Sequence, residues 1–351
     1  MEKGITVGMD MGDKKHNMCV LDAEGQVLVR DTVVNTAAAL RKHFKDFPPC
    51  RIVVEAGTHS GWVSRILEEL GHEVLVGNPR KLRMIWKSDK KNDERDAEML
   101  ARIGRFDPQL LYPIRHRGPA AQCDLAVIKA RDSLVKARSM LIAHVRGTVK
   151  AMGQRISPCG ADTFHRRLLS EMPTELAAAL DPLRKSIEEL SMRIRHYDHL
   201  IDGLCAEKYP QTQGLQGIGG VGPVTALAFI LTLEDRTRFE ESRSVGPFLG
   251  LVPRRDQSGA TDKQLRITKA GDAYLRRLLV GCAHYILGHF GPDCDLRRFG
   301  LKLAARGGKN AKRRAVVAVA RKLGVLMHRL WKSDAVYDPH YQDHRQRKKV
   351  A

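Results

Sequence analysis

Ile5-Thr6-Val7-Gly8-Met9-Asp10-Met11-Gly12 holds a short apolar run, Ile5–Met9, that ends on a carboxylate, and its reading decides the first hundred residues. A run of this length bounded by glycine reads as a buried strand. His16–Asp22 forms a second run after the Gly12-Asp13 break. The β-branched Gln26–Val34 is a third, with Glu24-Gly25 as the hairpin turn before it. Thr36–Phe47 has helical spacing and ends at Pro48-Pro49, and Arg51–Val54 reads as a fourth strand. Ser60–Leu70 predicts a helix closed by Gly71, and Glu73–Val76 a fifth strand. Three strands, a helix, then strand, helix, strand and helix describe a mixed α/β sheet.

Acids stand at the ends of these strands. Asp10 closes the first, and Glu55 the fourth in Val53-Val54-Glu55-Ala56-Gly57-Thr58. A carboxylate ending a buried strand is costly unless it is paired or binds a cation. Asp93 and Asp96, in Lys91-Asn92-Asp93-Glu94-Arg95-Asp96-Ala97-Glu98, open an amphipathic helix on which a spacing of three puts both on one face. The four together make a hard-oxygen set suited to Mg²⁺ or Mn²⁺, and a two-metal clamp about 4 Å across suits phosphodiester chemistry. Singly, each has a plainer reading. Asp93 could cap the helix, Asp96 could complement its dipole, and Asp10 could cap a turn.

The middle of the chain changes in kind. Ala120–Met152 has little Gly or Pro, and Ile128, Val135, Ile142 and Val149 recur every seven residues. After a short Arg155–Phe164 connection, a second helix carries Leu176, Leu180, Leu183, Ile187, Leu190, Ile194, Tyr197, Ile201 and Leu204. That 4-3 spacing is a coiled-coil seam, formed either within one chain or between chains. Pro182 marks a kink or the helix's true start.

From Gln211 onward the pattern is mainly helical. Gly217-Ile218-Gly219-Gly220-Val221-Gly222 leads into the helix Val224–Leu233. It reads either as the hairpin of a helix-hairpin-helix element, with Gly217 and Gly219 against a phosphate, or as a tight turn. Pro253–Thr268 reads as a polar, basic loop, followed by helices at Ala270–Leu287 and Ala311–Trp331. In that loop Ser258 follows Arg254-Arg255 and precedes Lys269. Arginine clamps phosphate and serine is a nucleophile once activated, but Ser258-Gly259 by itself reads as an ordinary turn. Arg276 and Arg277 join the residues assigned to nucleic-acid contact. The tail Arg345-Gln346-Arg347-Lys348-Lys349 adds nonspecific phosphate affinity.

Composition sets the partner class. Sixty Lys and Arg against forty Asp and Glu give a formal charge of +20, which points to a polyanion. Hydrophobic residues at 43% allow packed cores, and no apolar stretch reaches the roughly 18–20 residues that cross a bilayer. Seven scattered cysteines without a CxxC pair fit a reducing compartment, so a cytoplasmic protein is expected.

In order and spacing, several stretches resemble transposases of the insertion sequence 110 family, including its insertion sequence 1111 subgroup and related DNA invertases. They are Val7-Gly8-Met9-Asp10, Val54-Glu55-Ala56-Gly57-Thr58, Asn78-Pro79, Lys91-Asn92-Asp93-Glu94-Arg95-Asp96-Ala97, Gly217-Ile218-Gly219, Phe248-Leu249-Gly250-Leu251-Val252-Pro253-Arg254-Arg255, Gln257-Ser258-Gly259 and Lys269-Ala270-Gly271. Asn92 stands where the family commonly has threonine, and Asp13 adds an acid. The resemblance implies a RuvC-like (RNase H-like) domain over 1–115, with Asp10, Glu55, Asp93 and Asp96 as its acidic tetrad. It implies a coiled-coil linker over 116–210, a transposase domain over 211–335 with Ser258 as nucleophile, and a basic tail over 336–351. Further implied are donor and target DNA, a structured guide (bridge) RNA, a dimer or tetramer joined through the coiled coil, and a place at the bacterial nucleoid. Two other readings compete: a Holliday-junction endonuclease that uses water, and a noncatalytic nucleic-acid-binding protein.

Overall fold

The computed structural model describes residues 4–82, 92–259 and 261–344. Lys91 and the tail Arg345-Gln346-Arg347-Lys348-Lys349 lie outside the described residues. The chain divides into two compact units, Met1–Arg117 and Gly118–Ala351.

In the first unit the apolar runs become β1 (Thr6–Met11), β2 (Lys15–Leu21), β3 (Val27–Val34), β4 (Arg51–Glu55) and β5 (Glu73–Gly77). The helices are α1 (Ala37–Phe44), α2 (Ser60–Glu69) and α3 (Asp93–Phe106). The sheet order is β3-β2-β1-β4-β5. Strands β3, β2 and β1 pair antiparallel, while β1, β4 and β5 pair parallel, so β1 is central. This is the mixed α/β sheet expected, consistent with an RNase H-like domain. The hairpin turn is where Glu24-Gly25 placed it: Asp22 Oδ1 accepts from the Glu24 and Gln26 amides at 2.9 and 2.7 Å, and Gly25 takes a left-handed φ of 83°.

The two faces of the sheet are covered differently. Val7, Met9, Met18, Ile52 and Val54 bury one face together with Leu40 and Phe44 of α1 and Val63 and Leu67 of α2. On the other face Cys19 and Leu21 pack against Ala97 and Ala101 of α3, and Val53 joins Leu100. The contact is close because the facing residues are small. A Cβ on Gly8 would lie 2.0 Å from the Ala97 carbonyl oxygen, and one on Gly104 would lie 2.2 Å from a Val53 methyl.

The second unit begins with α4 (Pro119–Ala151), α5 (Phe164–Glu171) and α6 (Ala177–Gly203), which runs into a π-helical turn at Leu204–Lys208. Asp124, Arg131 and Arg138, at seven-residue steps along α4, pair in turn with Lys208, Asp198 and Ser191, so α4 and α6 lie antiparallel side by side. One row of the heptad seam, Leu180, Ile187, Ile194 and Ile201, is almost fully buried, whereas Leu183, Leu190 and Tyr197 are half-buried. Helix α6 passes through Pro182 and begins five residues before it, so the proline is not the start. Helix α5 begins at Phe164, where the connection read in sequence ends.

Further along the chain come α7 (Thr212–Gln216), α8 (Pro223–Leu233), β6 (Pro253–Ser258), β7 (Thr261–Ile267), α9 (Ala273–Leu287), α10 (Asp295–Ala304) and α11 (Ala311–Ser333), with a single helical turn at Val245–Phe248 between α8 and β6. Every residue of α8 from Thr225 to Leu233 is buried, as befits a helix that is apolar all round. Leu275, Leu279, Val319, Leu323 and Met327 enclose it. Residues 336–344, read as the start of a basic tail, fold back instead onto α10. There Asp295 N–H donates to Pro339 O at 2.8 Å and Arg298 pairs with Asp343 at 2.6 Å.

Candidate active site

Strand parity and helix direction set the four carboxylates at the same end of the sheet. Gly8 and Val53 face α3, and side chains two residues apart on a strand share a face, so Asp10 and Glu55 also lie on the α3 side. Met9 pairs with Val54 in parallel register, and the next residue of each strand is the carboxylate, on chains roughly 5 Å apart. Arg105 Nη1 donates to Gly4 O at 3.1 Å and Arg51 Nη1 to Gly104 O at 3.0 Å. Those bonds fix the C-terminal end of α3 over the beginnings of β1 and β4. The helix therefore runs antiparallel to both strands, and its first turn, with Asp93 and Asp96, stands over their ends.

Asp10, Glu55 and Asp96 are half-buried at this rim, and Asp93 is exposed. The helix cap is Asn92, whose side chain accepts from the Glu94 amide at 3.2 Å, so Asp93 is not the cap. Glu98, one turn farther along, has a different job. Arg30 and then Arg102 hydrogen-bond it and hold its carboxyl below the usual range. Among the described residues, no three His, Cys, Asp or Glu side chains are drawn together tightly enough to hold an ion.

The turn after Asp10 is clamped from outside the sheet. Asn35 Nδ2 donates to Gly12 O at 3.1 Å and Asp13 O at 3.0 Å, while the Asp13 carboxylate meets His59 Nε2 at 3.1 Å. Trp62 Nε1–H donates to His59 Nδ1 at 3.3 Å. His16 is fully buried, its ring centroid 6.5 Å from that of His59. Burial pushes its pKa down, aided by His59 and opposed by Asn35.

Ser258 lies in an element that sequence reading missed. Pro253–Thr268 is a two-stranded antiparallel hairpin, not a loop, and Ser258 pairs with Thr261 at its last rung. Every residue of β6 is exposed, and Gly259 beyond it takes a left-handed φ of 54°. Both faces of the hairpin are polar, so no alternation of apolar residues betrays it.

Residues 7–153 match a family model described as a transposase, of the DEDD type, and residues 212–296 match one described as the transposase IS116/IS110/IS902 family. The first match spans all four carboxylates and the second spans Ser258. The chain belongs to the insertion sequence 110 family of transposases. It is similar to a probable family 20 transposase of Pseudomonas aeruginosa, at 27% identity over 95% of this chain and 98% of that protein. The transposase for insertion sequence element IS1111A of Coxiella burnetii is 28% identical over 90% of this chain and 86% of its own length. A pilin gene-inverting protein of Moraxella bovis is 23% identical over 85% of each.

In this transposase the residues assigned to nucleic-acid contact have unequal freedom. Arg254 is exposed, and Arg255 pairs across the hairpin with Asp262 at 2.7 Å. Lys269 sits at a left-handed φ of 54°. Arg276 Nη1 donates to Leu249 O and Gly271 O at 3.0 and 3.2 Å, and Arg277 pairs with Asp132 at 2.6 Å. Those two arginines tie elements of the unit together. Gly217 is exposed, and a Cβ on Gly219 would meet Pro292 at 2.7 Å.

One residue of the transposase's carboxylate rim was not singled out in the sequence. Asn17 pairs directly with Asp10 across β1 and β2, is 8% exposed, and shares the α3 face with Cys19 and Leu21. Counting outward in register from the Gly12-Asp13 turn would have found it.

Proposed function

We propose that this transposase cuts and rejoins DNA strands through a covalent link to Ser258, with Asp10, Glu55, Asp93 and Asp96 as the assisting tetrad. The observation that supports the reading is the antiparallel ride of α3 over β1 and β4, which sets the helix's first turn above the strand ends that carry Asp10 and Glu55. An all-oxygen donor set fits a hard divalent cation, Mg²⁺ or Mn²⁺. Such an ion, when bound, stabilises the negative charge that builds on phosphate oxygens. Asp10 and Glu55 would hold it from adjacent strands, and Asp93 and Asp96 from the helix.

Ser258 Oγ attacks the scissile phosphorus as its proton leaves. The bond to the departing deoxyribose oxygen breaks, and that oxygen takes a proton. The resulting phosphoserine ester conserves the phosphodiester's energy. A hydroxyl of the partner strand then attacks the same phosphorus, forms the new strand and returns the serine. Arg254 and Arg255 supply positive charge to the phosphate during both steps.

The proposal extends to guidance by a structured RNA that pairs with donor and target DNA, which a charge of +20 would help one protein hold together. It also extends to a dimer or tetramer joined along α4 and α6, where the half-buried row of Leu183, Leu190 and Tyr197 would be covered by a second copy. The test is incubation of the full chain with Mg²⁺, labelled substrate DNA and the element's RNA, read for a denaturation-resistant protein–DNA adduct. An RNA-dependent adduct is expected. Adduct formation without RNA would overturn guidance, and cleavage without an adduct would overturn the serine chemistry.

A further inference from the structure

The unit Gly118–Ala351 contains two glycine-bearing turns between helices, and their chemistry is opposite. The first, Gly217–Gly222 between α7 and α8, lies in a stretch from Thr212 to Leu233 that has no charged residue. Its glycines serve close packing, since a Cβ on Gly219 would meet Pro292 and one on Gly220 would meet the Tyr285 ring at 2.7 Å. The second turn, Ala305–Asn310 between α10 and α11, contains Gly307 and Gly308 at φ 75° and 88°. Nothing lies within 4 Å of a Cβ on either, so here glycine provides only the chain reversal.

Around the second turn the charge is one-sided. No Asp or Glu occurs between Asp295 and Asp334, a stretch that holds twelve Lys or Arg. Some of these have structural partners: Arg297 binds the Ile286 and Gly288 carbonyls, and Lys322 lies 3.9 Å over the Phe299 ring. Six do not. Lys302, Arg306, Lys309, Lys312, Arg313 and Arg314 are all exposed at the turn and the helix ends beside it, and none has an ion pair among the described residues. Six like charges crowded at one tip repel each other, which makes this a poor arrangement unless an anion shares it.

The tip is also held rigid. A Cβ on Gly300 would meet Leu287 at 2.5 Å and Val319 at 2.6 Å, so α10 seats tightly between α9 and α11. We propose that the α10–α11 tip is a docking site for the phosphodiester backbone of duplex DNA. A duplex is favoured over a single strand because the only aromatics of this helix pair, Phe299 and Trp331, are packed inward, leaving no ring for bases to stack on. The site lies beyond both matched family segments, which end at residues 153 and 296. It is independent of the carboxylates and of Ser258, so its test reads binding and not strand cleavage.

The test compares the full chain with the variant Lys309→Gln, Lys312→Gln, Arg313→Gln, Arg314→Gln. Its control is Lys136→Gln, Arg167→Gln, Lys185→Gln, Arg193→Gln, which removes the same charge from helix positions already paired with acids one turn away. Fluorescence anisotropy of a labelled DNA duplex, and of an RNA duplex of equal length, is measured from about 50 to 200 mM salt. Circular dichroism checks the fold. Each lost phosphate contact lowers the slope of log K against log salt by about 0.9 for duplex DNA. The tip variant should lose about 2 to 4 from that slope on DNA, and the control less than about 1. A loss on RNA alone would overturn the assignment to DNA. An unchanged slope, or an equal loss in the control, would overturn the site.

Discussion

The carboxylate rim and the serine hairpin are built by opposite means. At the rim, Gly8, Ala97, Ala101 and Gly104 let a helix ride almost on the strand backbone, so the directions of Asp10, Glu55 and Asp96 follow from packing. At the hairpin, β6 is exposed along its whole length and pairs only with β7. Nothing in the unit's core depends on Ser258. A substitution at the rim therefore acts through stability as well as chemistry, and one at the hairpin through chemistry alone.

The sharpest way to break this comparison is Gly8→Leu. The new side chain has no room against the Ala97 carbonyl, and overpacking of backbone on backbone should cost several kcal/mol, enough to unfold the unit in a denaturant melt. The matching change Ser258→Leu should move the midpoint by less than about 0.5 kcal/mol. Comparable destabilisation by both would mean the hairpin is packed after all.

A smaller effect tests how far the rim extends. Asn17→Leu leaves the four carboxylates in place but removes the buried amide opposite Asp10. Strand exchange should fall roughly 10- to 100-fold, the range for losing a group that orients a ligand, with duplex DNA binding retained. Wild-type activity in that variant would confine the rim to the tetrad.

Acid should loosen the rim's unit and spare the hairpin. His16 has a pKa below its unfolded value of about 6.5 because burial disfavours its charge. Below about pH 6.5 the unfolded chain binds the proton first, so stability is lost as pH falls from there. His16→Phe should reduce the pH dependence of this unit's stability between about pH 6.5 and 5, leaving the share of His72 and His116, whose pKa values burial lowers likewise. If the slope persists unchanged, another group carries it. The smallest effect belongs to the hairpin's own ion pair. Arg255→Ala breaks an exposed contact with Asp262 and should cost no more than about 1 kcal/mol.

The same contrast explains what the sequence disclosed. Apolar runs of four to seven residues and an acid at each end made β1, β4 and the carboxylates readable, because burial forces a periodic pattern. The heptads of α4 and α6 were readable for the same reason, although Ser191 and Arg138 form a polar rung that the 4-3 spacing hides. The β6–β7 hairpin carries no such pattern, since β6 is exposed throughout and Ile267 at the end of β7 packs against the core. Helix α10 escaped because Gly300 and three cations interrupt a short stretch whose inward residues are few. The proximity of α3 to β1 was invisible for another reason: it rests on glycines, whose packing leaves no hydrophobic signal.

The central claim is that Ser258 is the nucleophile and the tetrad its assistant, and one gel tests it most directly. Wild type, Ser258→Ala and Asp10→Asn are incubated with Mg²⁺, the element's RNA and end-labelled substrate DNA, then denatured and resolved. All three should bind DNA within about twofold, because the basic surface is unchanged. Wild type alone should carry label that survives denaturation, while Ser258→Ala forms no adduct and cuts no strand. Cleavage by Ser258→Ala at near wild-type rate would contradict the account and make water the nucleophile.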